Sequence, residues 1–195
     1  YIPRALRAGA ELFTGMKVER LLMRGRRAVG VLARGATDSG ASRRLVIRAD
    51  SVVVSAGAMG SPLLLQDNGF RLPWLGRNLS IHPAIGMYVR APHPMDSWNT
   101  IPQGYGVENF VDPRLRFEGF YIPPQLGAGL TAIDGPDLTR WMDAHSHVGQ
   151  FGFMVKDPGV GKVRRGPKGG LLIRYDMAQE TAELLSRGAG ALAEL

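Results

Sequence analysis

The run Val52-Val53-Val54, held between Ser51 and Ser55, is apolar without any polar alternation. A β-branched run of that kind predicts a strand buried on both faces, as at the centre of a parallel sheet. Small residues follow, Ala56 and Gly57, then Ser61-Pro62 and Leu63-Leu64-Leu65. Ser61 reads as an N-cap, and Pro62 as the first helical residue, where a missing N–H costs nothing. Gly69 is placed to end that helix. The stretch is therefore expected to be strand, tight turn, helix. Ligands in open α/β sheets sit at the carboxyl ends of strands, near helix N-termini, so the pattern suits a nucleotide or dinucleotide site. A plain β–α turn with a capped helix satisfies the same letters, and the pattern alone leaves both open.

Other segments frame this one. Residues 2–11 read as the tail of a helix, with Ala5, Leu6 and Ala8 beside Arg4 and Arg7. Strands are expected at Met16–Met23, Arg27–Ala33 and Arg44–Arg48, broken by Gly25 and by the turn from Gly35 to Ala41. Those spacings suit a small antiparallel meander. From about residue 85 prolines punctuate the chain, and strands are expected at Ile85–Val89, Gly104–Phe110, Val148–Val155 and Leu171–Tyr175. Leu138–Ala144 reads as a short helix, and a longer one is expected from about Tyr175 to Leu195. The second half is thus an antiparallel sheet with long loops, a domain different from the first.

Charge divides the chain in the same way. Residues 1–90 carry 14 Lys and Arg against 5 Asp and Glu, and residues 91–195 carry 10 against 12. A basic half suits nucleic acid or a phosphate-bearing cofactor. No aromatic residues interleave with the arginines, as a single-strand binder requires, so charge-protected strand edges are the favoured reading and no nucleic-acid partner is expected. The chain has 195 residues and no cysteine, which removes disulfides and thiolate chemistry. No run of about 18 apolar residues occurs, so no transmembrane segment is expected. The chain starts at Tyr1 and stops at Leu195 within a helical pattern, so an internal fragment of a longer protein is expected.

Several constellations bear on chemistry. Gly188-Ala-Gly190 follows a helix rather than a strand, the wrong context for a dinucleotide loop. Gly159-Val-Gly161-Lys162 lacks the rest of a phosphate loop and reads as a hairpin turn. His145 and His147 would share one face of a strand as a metal pair, but no third ligand is evident and no metal is expected. His82, in Asn78-Leu-Ser-Ile-His82-Pro, reads either as an acid–base group or as a loop residue that, with Asn78, satisfies backbone groups.

Taken together, Val18 ahead of Gly30-Val31, then Val52-Val-Val-Ser-Ala-Gly-Ala58, Ser61-Pro-Leu-Leu-Leu65 and Gly69 resemble the glucose–methanol–choline (GMC) oxidoreductases. So does Leu75-Gly-Arg-Asn-Leu-Ser-Ile-His-Pro83. Phe117-Glu-Gly119, Gly135-Pro-Asp137, Phe151–Val155 with Asp157, and Arg174-Tyr-Asp176 are similar to the long-chain fatty alcohol oxidase branch. Asn68 stands where serine is usual, and Arg71 where glycine often ends the signature.

The resemblance implies a mixed α/β and α+β chain. Residues 1–84 would be part of an FAD-binding, Rossmann-like domain, and residues 85–195 part of an antiparallel-sheet substrate domain. It implies an FAD-dependent enzyme that oxidises an alcohol to an aldehyde or ketone, a base taking the hydroxyl proton while hydride passes to the flavin. The electron acceptor is left open. Val18 matches the position whose backbone meets the adenine, and Ala56 and Gly57 match the close-approach turn near the ADP part. No catalytic residue is assigned, because the family's histidine falls after Leu195 in the pattern and its phosphate loop before Tyr1. The rival reading is a non-catalytic nucleotide- or partner-binding remnant.

Overall fold

In the computed structural model the described residues are 1–36, 40–99, 101, 103–108 and 111–194. The tip of the turn at 37–39, Asn109 and Phe110 of an expected strand, and the terminal Leu195 lie outside them. In chain order the elements are α1 (Ile2–Arg7), β1 (Met16–Arg24), β2 (Arg27–Ala36), β3 (Ser42–Arg48), α2 (Gly57–Asp67), β4 (Arg77–Leu79), β5 (Ala84–Arg90), β6 (Gly106–Glu108), β7 (Leu115–Phe120), α3 (Pro124–Leu130), α4 (Gly135–Asp143), β8 (Val148–Val155), β9 (Gly161–Arg165), β10 (Leu171–Arg174) and α5 (Gln179–Ala193). The chain forms two compact units. One holds residues 1–77 and 162–174, the other 78–161 and 175–195.

The first unit is built on the meander. β1 pairs antiparallel with β2 and β2 with β3, in the order β1-β2-β3. Its inner positions are small or apolar, with Ala33 and Leu21 buried. A bulge at Glu19, between Val18 and Arg20, breaks the register of β1. β9 pairs antiparallel with β10, Leu171 opposite Arg165 and Arg174 opposite Lys162, and is the middle strand of the order β10-β9-β4.

Two expectations for residues 51–69 need correction. Residues 51–55 form no strand, and Val53 is 86% exposed. A valine run is buried only where neighbouring strands flank it, and no sheet strand among the described residues lies beside it. The helix also starts four residues before Ser61, at Gly57. Gly57 has φ +75°, a conformation that glycine adopts without penalty, and this turns the chain from extended into helical. Ser61 lies inside the helix, where its hydroxyl accepts the Ala56 N–H at 3.0 Å, and Pro62 is likewise internal. The C-terminal end follows expectation. Gly69 has φ +82°, its N–H reaches the Gln66 carbonyl at 3.1 Å, and the Phe70 N–H reaches the Leu65 carbonyl at 3.0 Å, a Schellman closure.

The second unit is a four-stranded antiparallel sheet in the order β5-β8-β7-β6. Leu115 faces Val155 and Phe117 faces Phe153 across β7 and β8, and α5 covers that face with Leu184 and Leu192. The Phe117 and Phe153 ring centroids are 5.2 Å apart. Gly188 is what lets α5 approach: a Cβ there would stand 2.4 Å from the Phe153 ring. On the opposite face Trp141 of α4 meets the Tyr88 ring edge-on at 5.4 Å. β8 occupies the expected Val148–Val155. Gly159 and Val160 lie in the link from β8 to β9, strands of different sheets, and Gly161 opens β9, so the expected hairpin turn does not form there.

Candidate functional site

Two places answer to the expected chemistry, one in each unit. In the first unit, the N-cap of α2 is Ala56, which has no side chain to cap the helix, and the Ala56 N–H itself is taken by the Ser61 hydroxyl. The free N–H groups of a helix's first turn carry partial positive charge and accept an anionic group. A Cβ built on Gly57 would meet nothing within 4 Å, so the approach is open, and Ala56 beside it is exposed and small. Val18 lies on β1 opposite Ala33, with 36% of its surface exposed. It stands near the other end of α2, because Asn68, just past that end, bonds to the neighbouring Glu19. About 16 Å of helix, eleven residues at 1.5 Å each, lie between that end and the Ala56–Gly57 turn. Val18 and the turn are thus on one unit but do not converge on one point.

The residues that build this frame were not visible in the sequence. Asn68 accepts the Leu21 N–H at 2.8 Å, and its amide donates to the Glu19 carbonyl at 3.3 Å and the Leu64 carbonyl at 2.8 Å. It thereby satisfies β1 on either side of Arg20, beside the bulge. Gln66 repeats the device on β9. Its amide donates to the Val163 carbonyl at 3.1 Å, and its oxygen accepts the Arg165 N–H at 3.0 Å. One carboxamide matches the spacing of a strand's outward-facing groups two residues apart. Arg165 adds an ion pair to Asp67, its Nε 2.9 Å from one carboxylate oxygen. Only the departure from serine at Asn68 pointed this way.

In the second unit a cavity of about 500 Å³ opens on the sheet. Phe117, Phe151, Tyr105, Met95 and Leu192 line it, together with Gly119 and Gly149. Gly119 lies opposite Phe151 in the sheet, so the two glycines leave a trough where larger side chains would stand. Several polar groups at its border are engaged with protein partners. Gln103 donates to Glu118 at 2.9 Å, and Gln150 accepts the Ile122 N–H at 2.9 Å. Such a cavity takes an apolar chain and offers nothing to ionise one.

The remaining candidates do other work. His145 and His147 sit in a short 3-10 turn before β8, not on a strand. Their Nδ1 atoms lie 2.7 Å from the Met142 carbonyl and 3.2 Å from the Ala91 carbonyl. No group of three metal-ligating side chains occurs among the described residues. His82 is exposed, at the border of a separate cleft with Arg116 and Lys156. Gly188 and Gly190 lie within α5.

Asp157 is the centre of a buried network, which its place in the sequence did not reveal. It accepts the Tyr175 hydroxyl at 2.8 Å, the Thr181 hydroxyl at 3.3 Å, the Ile81 N–H at 3.3 Å and the Gly159 N–H at 3.4 Å. Burial pushes its carboxyl upward, but the hydrogen bonds from Tyr175, Ile81, Gly159 and Thr181 together outweigh burial and hold it below the usual range. Burial and the same bond push the Tyr175 phenol up. Nearby, the side chain of Arg114 bonds both oxygens of Asp112 at 2.9 and 3.0 Å, and this holds the Asp112 carboxyl well below its ordinary range. Among the described residues no helix is long and apolar enough to cross a membrane.

Residues 1–84 match the model of the family described as GMC oxidoreductase. An uncharacterised GMC-type oxidoreductase of Mycobacterium tuberculosis is 36% identical over 179 residues, covering 91% of this chain and 28% of that protein. A long-chain-alcohol oxidase of Arabidopsis thaliana is 28% identical over 177 residues, covering 82% of this chain and 24% of that protein. An uncharacterised GMC-type oxidoreductase of Sinorhizobium fredii is 28% identical over 182 residues, covering 92% and 35%. The chain thus spans about a quarter to a third of the length of these relatives. The similarity runs through most of the chain, and residues 1–84, which match the family's own model, belong to the GMC oxidoreductase family.

Proposed function

We propose that this chain is the part of an FAD-dependent alcohol oxidoreductase that holds the ADP end of the cofactor and walls an apolar substrate channel. Residues 1–84 would belong to the FAD-binding domain, with α2 as a helix of a Rossmann-like arrangement. Residues 85–195 would belong to the substrate domain. The observation that carries the reading is the apolar cavity in a chain of this family, since it suits the alkyl part of a long-chain alcohol.

The residues present fit FAD. The first turn of α2 suits the pyrophosphate, Gly57 leaves no side chain in its way, and the partly exposed Val18 of β1 suits the adenine. When bound, the flavin supplies the acceptor for the two electrons removed from the carbinol carbon. This chain's residues do the positioning. Ala56 and Gly57 admit the phosphates closely, and Phe117, Phe151 and Tyr105 exclude water from the alkyl chain. None of its side chains is assigned as the base, so the 195-residue chain by itself is expected to oxidise no alcohol.

Titration of the chain with FAD, followed by flavin fluorescence anisotropy, tests the cofactor assignment. Gly57→Val puts a β-branched side chain at positive φ in front of the helix terminus. It is expected to weaken binding by about tenfold or more, equivalent to about 1.4 kcal/mol. Gly119→Leu fills the trough and is expected to weaken binding of dodecanol while leaving FAD binding as it was. FAD binding unaffected by Gly57→Val would remove the cofactor assignment, and dodecanol binding unaffected by Gly119→Leu would remove that of the substrate.

A further inference from the structure

The register of the meander brings Lys17, Arg34 and Arg44 directly opposite one another, one on each of β1, β2 and β3. Neighbouring strands lie about 4.8 Å apart, so three cations stand in a row about 10 Å long. Like charges directly opposite in a sheet are destabilising. Charge protection of strand edges does not account for this row, because Arg34 sits on the central strand. The pairing puts Arg20, three residues beyond Lys17 across the bulge, and Arg48, four residues beyond Arg44, on the same face. All five are exposed. Glu19 is the one acid among them, its carboxylate 3.0 Å from Arg34 Nε. Val46 lies between Arg44 and Arg48 on that face and is 54% exposed.

We infer that this face of the meander docks on an anionic lipid surface. Its charge is complementary to acidic headgroups, and its flat array presents several cations to one plane at once. The chemistry of the face selects lipid over nucleic acid. It carries no aromatic ring on which a base stacks and no helix to enter a groove, while Val46 and the half-buried Leu32 offer aliphatic surface between the cations. The cofactor and substrate assignments are on other surfaces, and the inference does not rest on them.

Sedimentation of the chain with vesicles tests it. Vesicles of phosphatidylcholine with about 30% phosphatidylserine are expected to carry the chain down at low salt, and pure phosphatidylcholine vesicles are not. The variant Lys17→Gln/Arg34→Gln/Arg44→Gln is expected to partition about a hundredfold more weakly, at roughly fivefold per cation. Glu19→Gln is expected to strengthen binding. A second triple variant, Arg90→Gln/Lys162→Gln/Lys168→Gln, removes the same charge elsewhere and is expected to keep most of the binding. Circular dichroism identifies any variant that fails to fold, and in that case Arg44→Gln alone, expected to lose roughly fivefold, takes its place. Equal losses in the two triple variants would reduce the effect to net charge and overturn the inference. So would failure to bind acidic vesicles, or retention on single-stranded DNA at a salt concentration that abolishes vesicle binding.

Discussion

Asp157 is 8% exposed and accepts four hydrogen bonds, two from hydroxyls and two from backbone N–H groups. Truncating it strands all four donors, which costs more than the loss of one bond. Asp157→Ala is expected to destabilise the second unit by about 3 kcal/mol, whereas Tyr175→Phe removes one donor and loses less, as thermal unfolding would read. The pH dependence follows from the two shifts. The Asp157 carboxyl is depressed in the folded chain, so its contribution is complete above the ordinary aspartate value of about 3.9 and is lost as pH falls through the folded value. The Tyr175 phenol is raised, so its contribution is complete below about 10 and is lost as pH rises beyond the folded value. Stability should be flat between these limits and fall outside them, and the acid-side fall should shrink in Asp157→Asn. An acid limb unchanged by Asp157→Asn would contradict the assignment.

At the scale of the element, α5 carries a contrast between two glycines. Gly188 is buried and lies against the Phe153 ring, while Gly190 is exposed with nothing within 4 Å of a built Cβ. Glycine in a helix interior is less favourable than alanine by about 0.5–1 kcal/mol, so Gly190→Ala is expected to stabilise the chain by about that amount. Gly188→Ala gains the same propensity but must displace an aromatic ring in a packed core, at a cost of about 1–3 kcal/mol. Denaturant midpoints of opposite sign for the two variants are the expected result, and equal midpoints would mean that α5 does not rest on β8 through Gly188. The same contrast shows what the sequence could convey. The letters Gly188-Ala-Gly190 exclude a phosphate loop by context, but not that one glycine meets a ring and the other meets solvent. β8 was legible because its apolar run is long and bounded by turn residues. β7 alternates Leu115-Arg116-Phe117-Glu118, a strand pattern masked by Pro113 on one side and Pro123-Pro124 on the other. Residues 51–55 mislead in the opposite sense, because a valine run reports what a segment needs as neighbours rather than what this chain supplies.

At the scale of the whole molecule, composition and charge change once along the chain, whereas the fold crosses between its units more than once. The hairpin β9–β10 follows the second unit's sheet in sequence but belongs to the first unit. No local pattern carries that information, because the hairpin is joined to residues about a hundred positions earlier. What joins it is specific. Gln66 bonds the β9 backbone at Val163 and Arg165, Asp67 pairs with Arg165, and the Val163 N–H donates to the Gly76 carbonyl at 2.7 Å. The family signature around Ser61-Pro62 thus sits on a helix whose C-terminal turn fastens two strands, β1 through Asn68 and β9 through Gln66. This gives a reason for polar residues at a helix end that the hydrophobic pattern treats as surface. Gln66→Ala removes both carboxamide bonds to β9 while leaving the helix itself intact, since alanine is the better helix former. Each lost bond contributes about 1 kcal/mol, so the Val163 and Arg165 amides are expected to exchange with deuterium about ten- to thirtyfold faster, as local opening becomes easier. Amides of β8, in the other unit, should keep their protection. Uniform acceleration across both units would show instead that the chain opens only as a whole, and that Gln66 contributes to global stability rather than to holding this hairpin.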